Sequence, residues 1–494
     1  MSKNLNIVVV GGGMAGWLTA LTMNKITKNT KITLIESDAI GILGAGEGST
    51  PNLPRLIKIL DIDYDDFINK TKSTHKLGIS FENWNGDGKK YIHPFTSKNS
   101  EFDWTIFNGK NIADEYLGYI FKNNINIDDV VLSNKMALEN KTPSHMNMYG
   151  YHFDANLVAS YFRNISEDRG IIRVEGIITN FIKNENDNIT SIKLKNGDSI
   201  DNIDFIFDCS GFSRLIIGNE YNTNWKSYED KLFVNTAMPF ILPQSETEIN
   251  PYTRAVAMKY GWMWMIPLQH RWGCGYIFDD RYTNKDDAKK EVEEFLGHTI
   301  ENNRTIQFKA GRFEKVWQGN CIAIGLSSGF TEPIEATSIF MAINQLSVIS
   351  QDIINNFLSG NSKLREDYNL KFSNMNDDVS DFLQFHYFTK RKDTSFWKDY
   401  FLKSYKSSKL RNKINLWKSN IPKSFDFRYE SFGLVNWLLV GIGLDYFKKD
   451  IFIQTYRDSK IKNKVKEHHT KNINLIEDTI KNSINEIDIL KNIK

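Results

Sequence analysis

The sequence predicts an α/β fold with a βαβ opening, joined to a mostly helical second lobe. Three observations predict it. An apolar run at Asn6–Val10 leads into the glycine-rich "GGGMAG", an amphipathic stretch over about residues 15–25 and a second apolar run, "KITLIE", at Lys31–Glu36. Strand, tight turn, helix and strand in that order make a βαβ unit. Strand-like runs then dominate from about residue 234 to 278, and helical periodicity takes over from about residue 342. The chain thus reads as a core over residues 1–345, with β-rich insertions at about 76–150 and 220–310, followed by a helical region over 346–494.

Several elements follow from local pattern. "KLGISFENW" (Lys76–Trp84) alternates, with Leu77, Ile79 and Phe81 on one face and Lys76, Gly78, Ser80 and Glu82 on the other. "YHFDANLVASYFR" reads as a helix. "SIKLKNGDSIDNIDFIFDCSG" reads as a hairpin with an Asn-Gly-Asp turn and then a buried strand. The stretch from Asn320 to Ser350 reads as strand, loop and long helix, and the charged segment from about Lys460 as a peripheral helix.

Composition excludes several classes of function. With 494 residues, the chain exceeds one small domain. A net charge of +2 supplies no strong field for nucleic acid or an anionic membrane. Cys209, Cys274 and Cys321 have neither metal spacing nor a disulfide framework, which suits a reducing compartment, and a cytoplasmic location is expected. The first residues enter a strand at once, so no signal peptide is expected. No apolar run reaches about 18 residues, so no membrane span is expected. No cluster of His, Cys, Asp and Glu has convincing metal spacing, and His468–His469 reads as a polar helix surface.

The chemistry-bearing motifs come next. Gly11, Gly13 and Gly16 have G-x-G-x-x-G spacing. The first glycine permits a tight turn, the second lets a pyrophosphate approach the backbone, and the third lets helix pack on strand. Glu36 closes the second strand, where an acid would bind a ribose. The motif occurs once, so one dinucleotide is expected. The later "DCSG" and "AIG" strands suit FAD better than NAD. "IFDCSGFSRL" (Ile206–Leu215) reads either as a second wall of that site, through Ser210 and Gly211, or as a core strand with a turn. "SSGFTEPIEATSIF" (Ser327–Phe340) reads either as an anion site at a helix start, beside Glu335, or as a helix capped by Thr or Ser. Trp262 and Trp264 in "GWMWMIPL" share one strand face. Taken alone they fit an aromatic core stripe.

Taken together these stretches resemble the flavin-dependent halogenases, the family that includes the tryptophan halogenases. The resemblance rests, in order, on "GGGMAGW", "GAGEGSTPNL", "HKLGISFENW", "YHFDANLVA", "DCSGF", "AMKYGWMWMIP", "SSGFTEPIEATSI" and "HYFTKRKDTSFW", over about residues 5–400. The W-x-W-x-I-P pattern, Trp262, Trp264, Ile266 and Pro267, is its most specific part. The resemblance implies an FAD-binding fold of the p-hydroxybenzoate hydroxylase (GR2) type with a helical substrate lobe. It places FAD against Gly11, Gly13, Met14, Ala15, Gly16, Glu36, Gly44, Ala45, Gly46, Ile178, Ser210, Gly211, Gly325 and Ile339. It implies that FADH2 from a separate flavin reductase reacts with O2 to a C4a-hydroperoxide, which halide attacks to give hypohalous acid. That acid would travel to Lys76, as a hydrogen-bonded acid or a haloamine. Glu335 would orient it or take the ring proton. Thr337 and Ser338 match the halide site, His93 and Phe95 flank a small aromatic substrate, and Trp262 and Trp264 keep that substrate from the flavin.

Two departures qualify the resemblance. The family pattern F-x-x-P-x-x-S-x-G stands here as Phe330, Pro333, Ala336 and Ser338. A serine in place of glycine brings a β-carbon and a hydroxyl to the halide position, which opens a preference for bromide or iodide over chloride. The stretch Lys423–Leu444 is shorter than in tryptophan halogenases and lacks their Tyr pair and Phe-Trp pair. An electron-rich indole or phenol, free or carrier-tethered, is expected instead of free tryptophan. A flavin-dependent aromatic hydroxylase of the same fold, and a non-catalytic FAD-binding protein, are the other readings. The C-terminal helices suit a homo-oligomer.

Overall fold

The computed structural model describes residues 5–41, 44, 46–95, 105–108, 110–142, 149–245, 247–302, 304–427 and 430–493. The chain forms two compact units that interleave along the sequence. The first holds Met1–Ser73, Phe153–Glu229 and Phe308–Asp377, and the second Thr74–His152, Asp230–Gln307 and Asp378–Lys494. Among the described residues no helix is long and apolar enough to cross a membrane.

The first unit is built on a six-stranded sheet in the order Ile172–Glu175, Thr30–Glu36, Leu5–Val10, Phe205–Asp208, Cys321–Ala323, Trp317–Gln318. The first five strands are parallel. A parallel sheet is covered on both faces, so its strands are apolar runs without alternation. Ile7, Val9, Leu34, Phe205 and Phe207 are accordingly fully buried. Leu5–Val10, the helix Met14–Ile26 and Thr30–Glu36 form the expected βαβ unit. The expected hairpin forms from Ile189–Leu194 and Ser199–Asp201.

One helix boundary is corrected. "YHF" is not helical: Gly150–Phe153 is a strand, and the helix runs Ala155–Asp168. The aspartate separates them, because the Asp154 carboxylate accepts the amide of Asn156 at 2.9 Å and caps the helix.

The second unit centres on a seven-stranded sheet. Its order is Ile306–Gln307, Thr236–Leu242, Trp272–Phe278, Gly261–Pro267, Thr253–Ala257, Gly78–Glu82, Lys90–Pro94. Only Thr253–Ala257 and Gly78–Glu82 pair in parallel. Met263 and Met265 of the tryptophan strand point into a core with Phe240, Tyr276, Ala288 and Val292. Trp262, Trp264 and Ile266 therefore occupy the opposite face.

Two further expectations are corrected here. Lys76–Trp84 is not one alternating strand. It breaks at Leu77 into Thr74–Lys76, paired with Gly150–Phe153, and Gly78–Glu82, in the large sheet. Lys76 and Ser80, on the face opposite Leu77, Ile79 and Phe81, are buried too, because protein covers both faces. Nor is His468–His469 a polar surface. In the helix Lys462–Lys481 the buried residues Val465, His468, Asn472 and Ile476 share one face. The His468 ring packs edge-on against Tyr116 at 4.8 Å.

Candidate active site

In the first unit predicted cofactor residues from four strand ends collect at one end of the parallel sheet. Val10 pairs with Ile35 on one side and Asp208 on the other, and Asp208 pairs with Ala323. The loops that leave these strands therefore carry Gly11–Gly16, Glu36, Ser210–Gly211 and Gly325 side by side. Ligands of open α/β sheets bind at this carboxyl edge. Gly11 has φ of +116°, and a β-carbon there would lie 2.3 Å from the Cys209 carbonyl oxygen. At Gly16 it would lie 1.8 Å from the Gly11 carbonyl oxygen. At Gly13 it would meet nothing within 4 Å, so this helix start is open to a pyrophosphate. Met14 and Ala15 form the first helical turn. The cradle fits a dinucleotide such as FAD.

The walls of this cradle are braced by residues that sequence reasoning missed. Buried Asp208 accepts the Ser210 hydroxyl at 2.6 Å and the amides of Ile216 and Ile217 at 2.9 and 3.0 Å. It thereby shapes the turn holding Ser210 and Gly211. Gln345 accepts the Gly325 amide at 3.0 Å and donates to the Ala323 carbonyl at 3.0 Å. Glu36 pairs with Arg173 at 2.6 Å, and its side chain lies over Gly12. The amide of Gly176, two residues before Ile178, donates to the Glu36 carbonyl at 2.8 Å. Gly44 packs against Ala155, Gly46 has φ of +138°, and Ile339 lies in the first turn of the helix Thr337–Ser347. Ala45 lies outside the described residues.

The same unit carries the candidate halide residues. Pro333–Glu335 forms a short 3-10 turn, Ala336 takes a left-handed conformation with φ of 54°, and the helix Thr337–Ser347 follows. The reading of this helix as capped by Thr or Ser is corrected, because Ala336 is the cap residue and no side chain caps the helix. Thr337 is buried at N1, with its hydroxyl 3.1 Å from that of Thr331. Ser338 is half-buried, and Glu335 is 3% exposed.

In the second unit Lys76 is 1% exposed, and its Nζ lies 5.4 Å from the centre of the Phe95 ring. That is within cation–π range. Buried His152 sits nearby. Its pKa is held well below the ordinary 6.5, first by burial and then by the charges of Lys76 and His75. His93 is buried, with Nε2 3.0 Å from Asn436 Oδ1 and its ring 5.7 Å from Phe382. Asn436 belongs to the stretch Lys423–Leu444. Phe432 of that stretch stacks on Phe382 with centroids 4.0 Å apart, so the stretch brings an amide and an aromatic ring. Fully buried His386 donates from Nδ1 to the Phe382 carbonyl at 3.0 Å. His386, Phe382, Phe432 and Asn436 were not singled out from sequence, although "HYF" marked the first of them.

Trp262 is buried and Trp264 partly so. Trp264 pairs across the sheet with Gly275, where a β-carbon would lie 2.0 Å from the indole ring. The glycine leaves the ring room to lie flat on the sheet.

Comparison with known proteins agrees with this architecture. Residues 6–453 match the family model described as tryptophan halogenase. The tryptophan 6-halogenase of Streptomyces toxytricini is 30% identical over 449 residues, covering 85% of this chain and 84% of that protein. The tryptophan 7-halogenase of Lentzea aerocolonigenes is 31% identical, covering 79% and 78%. The crystal structure of the Streptomyces toxytricini enzyme superposes with a TM-score of 0.88 at 27% identity, over 99% of this chain and 100% of that one. A flavin-dependent halogenase from Xanthomonas campestris gives a TM-score of 0.84 at 28% identity, over 99% and 98%. The fold is thus the FAD-binding fold of these enzymes. The chain belongs to the tryptophan halogenase family of flavin-dependent, oxidoreductase-type halogenating enzymes.

Proposed function

We propose that this protein halogenates an electron-rich aromatic of the indole or phenol class, other than free tryptophan, and prefers bromide or iodide to chloride. The observation that carries this reading is Lys76, an ammonium at 1% exposure whose head group faces the ring of Phe95. A buried lysine is costly. Its burial beside an aromatic ring makes sense where it must hold a small electrophile against a flat substrate.

Bound FAD, reduced by a separate reductase, supplies with O2 the two oxidising equivalents that turn halide into hypohalous acid. The chain's own residues do the rest. Thr337 and Ser338 hold halide at a helix start that no side chain caps, where backbone N–H groups and the helix dipole favour an anion. The serine in place of glycine adds a β-carbon and a hydroxyl at that position, and this departure is the ground for a halide preference other than chloride. Trp262 and Trp264 keep organic substrate from the flavin. Lys76 Nζ takes the hypohalous acid and presents an electrophilic halogen. His93 and Phe95 flank the substrate ring, and Glu335 takes the proton that leaves the ring. Asn436 supports a substrate other than free tryptophan: it gives His93 a neutral amide partner from the stretch where tryptophan halogenases grip an amino acid.

The test is a halide competition. Purified protein is incubated with FAD, a flavin reductase, NADH and a panel of indoles and phenols, with chloride, bromide and iodide offered separately and products read by mass. Halogenated product with bromide or iodide ahead of chloride is expected. Oxygenated product without halogen would replace this reading with a hydroxylase.

A further inference from the structure

We propose that Glu486, in the C-terminal helix Glu486–Asn492, is a positioning residue for Lys76. It fixes the short strand that carries the lysine, and so governs transfer of halogen to the aromatic substrate rather than formation of hypohalous acid. The proposal rests on the reading of Lys76 given above.

Glu486 is 0% exposed and lies beyond residues 6–453, the part that matches the family model. Its carboxylate accepts the backbone amide of His75 at 2.9 Å, approaches His75 Nδ1 at 3.0 Å and accepts the Thr142 hydroxyl. Burial alone would push this carboxyl up. The charge and hydrogen bonds of His75, with the Thr142 hydroxyl, outweigh it and hold the group below the usual range. A carboxylate is kept charged in an interior only where its oxygens are satisfied, and here two of its three donors belong to the neighbour of Lys76.

The geometry makes this a clamp on the lysine strand. Thr74–Lys76 has three residues, and successive side chains alternate in direction. Glu486 therefore grips the strand through His75 on one face, and Lys76 Nζ faces the Phe95 ring on the other. The strand is anchored at its ends as well. The Thr74 hydroxyl donates to the Pro267 carbonyl at 2.7 Å, and the Leu77 amide to the Pro251 carbonyl at 2.7 Å. The C-terminal segment is itself registered. Ile484–Asn485 pairs with Lys141–Thr142, and the Glu486 amide donates to the Asn140 carbonyl at 3.0 Å. Without the carboxylate, the His75 amide loses its partner at the middle of the strand. A displacement of about 1 Å in a positioned group costs roughly 100-fold in rate.

The experiment compares full-length wild type with Glu486→Gln, Glu486→Ala, Lys76→Ala and, as a control on the same helix, exposed Lys491→Ala. Each receives FAD, reductase, NADH, and the halide and aromatic that give most product in the competition above. Free hypohalous acid is trapped with a β-diketone, halogenated aromatic is read by mass, and thermal melting reports folding. For both Glu486 variants, hypohalous acid formation within about twofold of wild type is expected, with halogenated aromatic down by roughly tenfold or more. Lys491→Ala should match wild type. Glutamine keeps the size and one acceptor, so it serves if alanine does not fold. An unchanged ratio of aromatic product to hypohalous acid, or a parallel loss of both that follows the folded fraction, overturns the proposal. If Lys76→Ala halogenates like wild type, the reading of Lys76 fails and this proposal with it. If Lys76→Ala uncouples and the Glu486 variants do not, this proposal alone fails.

Discussion

Thr74 donates its hydroxyl to the carbonyl oxygen of Pro267 at 2.7 Å, and both groups are buried. The bond ties the strand that carries Lys76 to the last residue of the strand that carries Trp262 and Trp264. It also sets a direction for the hydrogen bonds behind it. With its proton on Pro267, Thr74 accepts from His152 Nδ1 at 3.1 Å, which leaves His152 Nε2 to accept from the Thr253 hydroxyl at 2.9 Å. A neutral imidazole with one donor and one acceptor fits this chain, and burial keeps His152 neutral.

Thr74→Val keeps the shape and removes the hydroxyl. It leaves the Pro267 carbonyl and His152 Nδ1 without their partner in the interior, a loss of roughly 1–3 kcal/mol. Urea unfolding of the purified variant should show that loss, and an unchanged midpoint would refute the role of this bond.

The cofactor cradle separates two effects of adding one methyl group. Gly16→Ala would place a β-carbon 1.8 Å from the Gly11 carbonyl, so the variant should lose stability and fail to bind FAD. Gly13→Ala meets nothing within 4 Å. It should melt like wild type in the absence of flavin yet bind FAD at least about tenfold more weakly, because a pyrophosphate must approach that backbone. Flavin fluorescence titration beside thermal melting distinguishes the two.

Asp377 predicts an acid response. Burial alone would raise its pKa, but hydrogen bonds from Arg312, Tyr228 and Lys226 outweigh it and hold the group at about 2, against an ordinary 3.8. A folded value below the unfolded one contributes stability that is full above the unfolded pKa and lost as pH falls through the folded one. Asp377→Asn should therefore be less stable than wild type at neutral pH, and the gap should close as pH falls from about 4 to 2. Chemical unfolding across that range is the check.

The loop proposed to hold halide predicts different responses at two nearby positions. Ala336 pays for a left-handed conformation at φ of 54°, and Ala336→Gly should stabilise the protein by roughly 0.5–1 kcal/mol. Ser338→Gly should leave melting unchanged and raise the share of chloride in mixed-halide product. A halide ratio identical to wild type would remove Ser338 from the selection.

What the sequence showed depended on how local the signal was. The parallel strands around Ile7, Leu34 and Phe207 were legible because burial on both faces leaves uninterrupted apolar runs, and the glycine spacing was legible because Gly11 and Gly16 answer local steric demands. Lys76 was singled out in the sequence only through the motif around it. Its burial was not legible, since alternation cannot distinguish a solvated face from one covered by a second layer. The "EATS" stretch satisfied the rule for a Thr or Ser cap, yet the turn at Pro333–Glu335 puts Ala336 in the cap position. His468 read as surface because its partners, Tyr116 and Phe107, lie far away in sequence. Asn436 and Glu486 were missed for the same reason: each acquires its meaning from a histidine more than three hundred residues away.

The most direct test of the account measures hypohalous acid and halogenated aromatic together in wild type and Lys76→Ala. The account predicts that the variant still forms hypohalous acid from halide, FADH2 and O2 but loses halogenated product at a defined ring position. Regioselective halogenation by Lys76→Ala at the wild-type rate would contradict it.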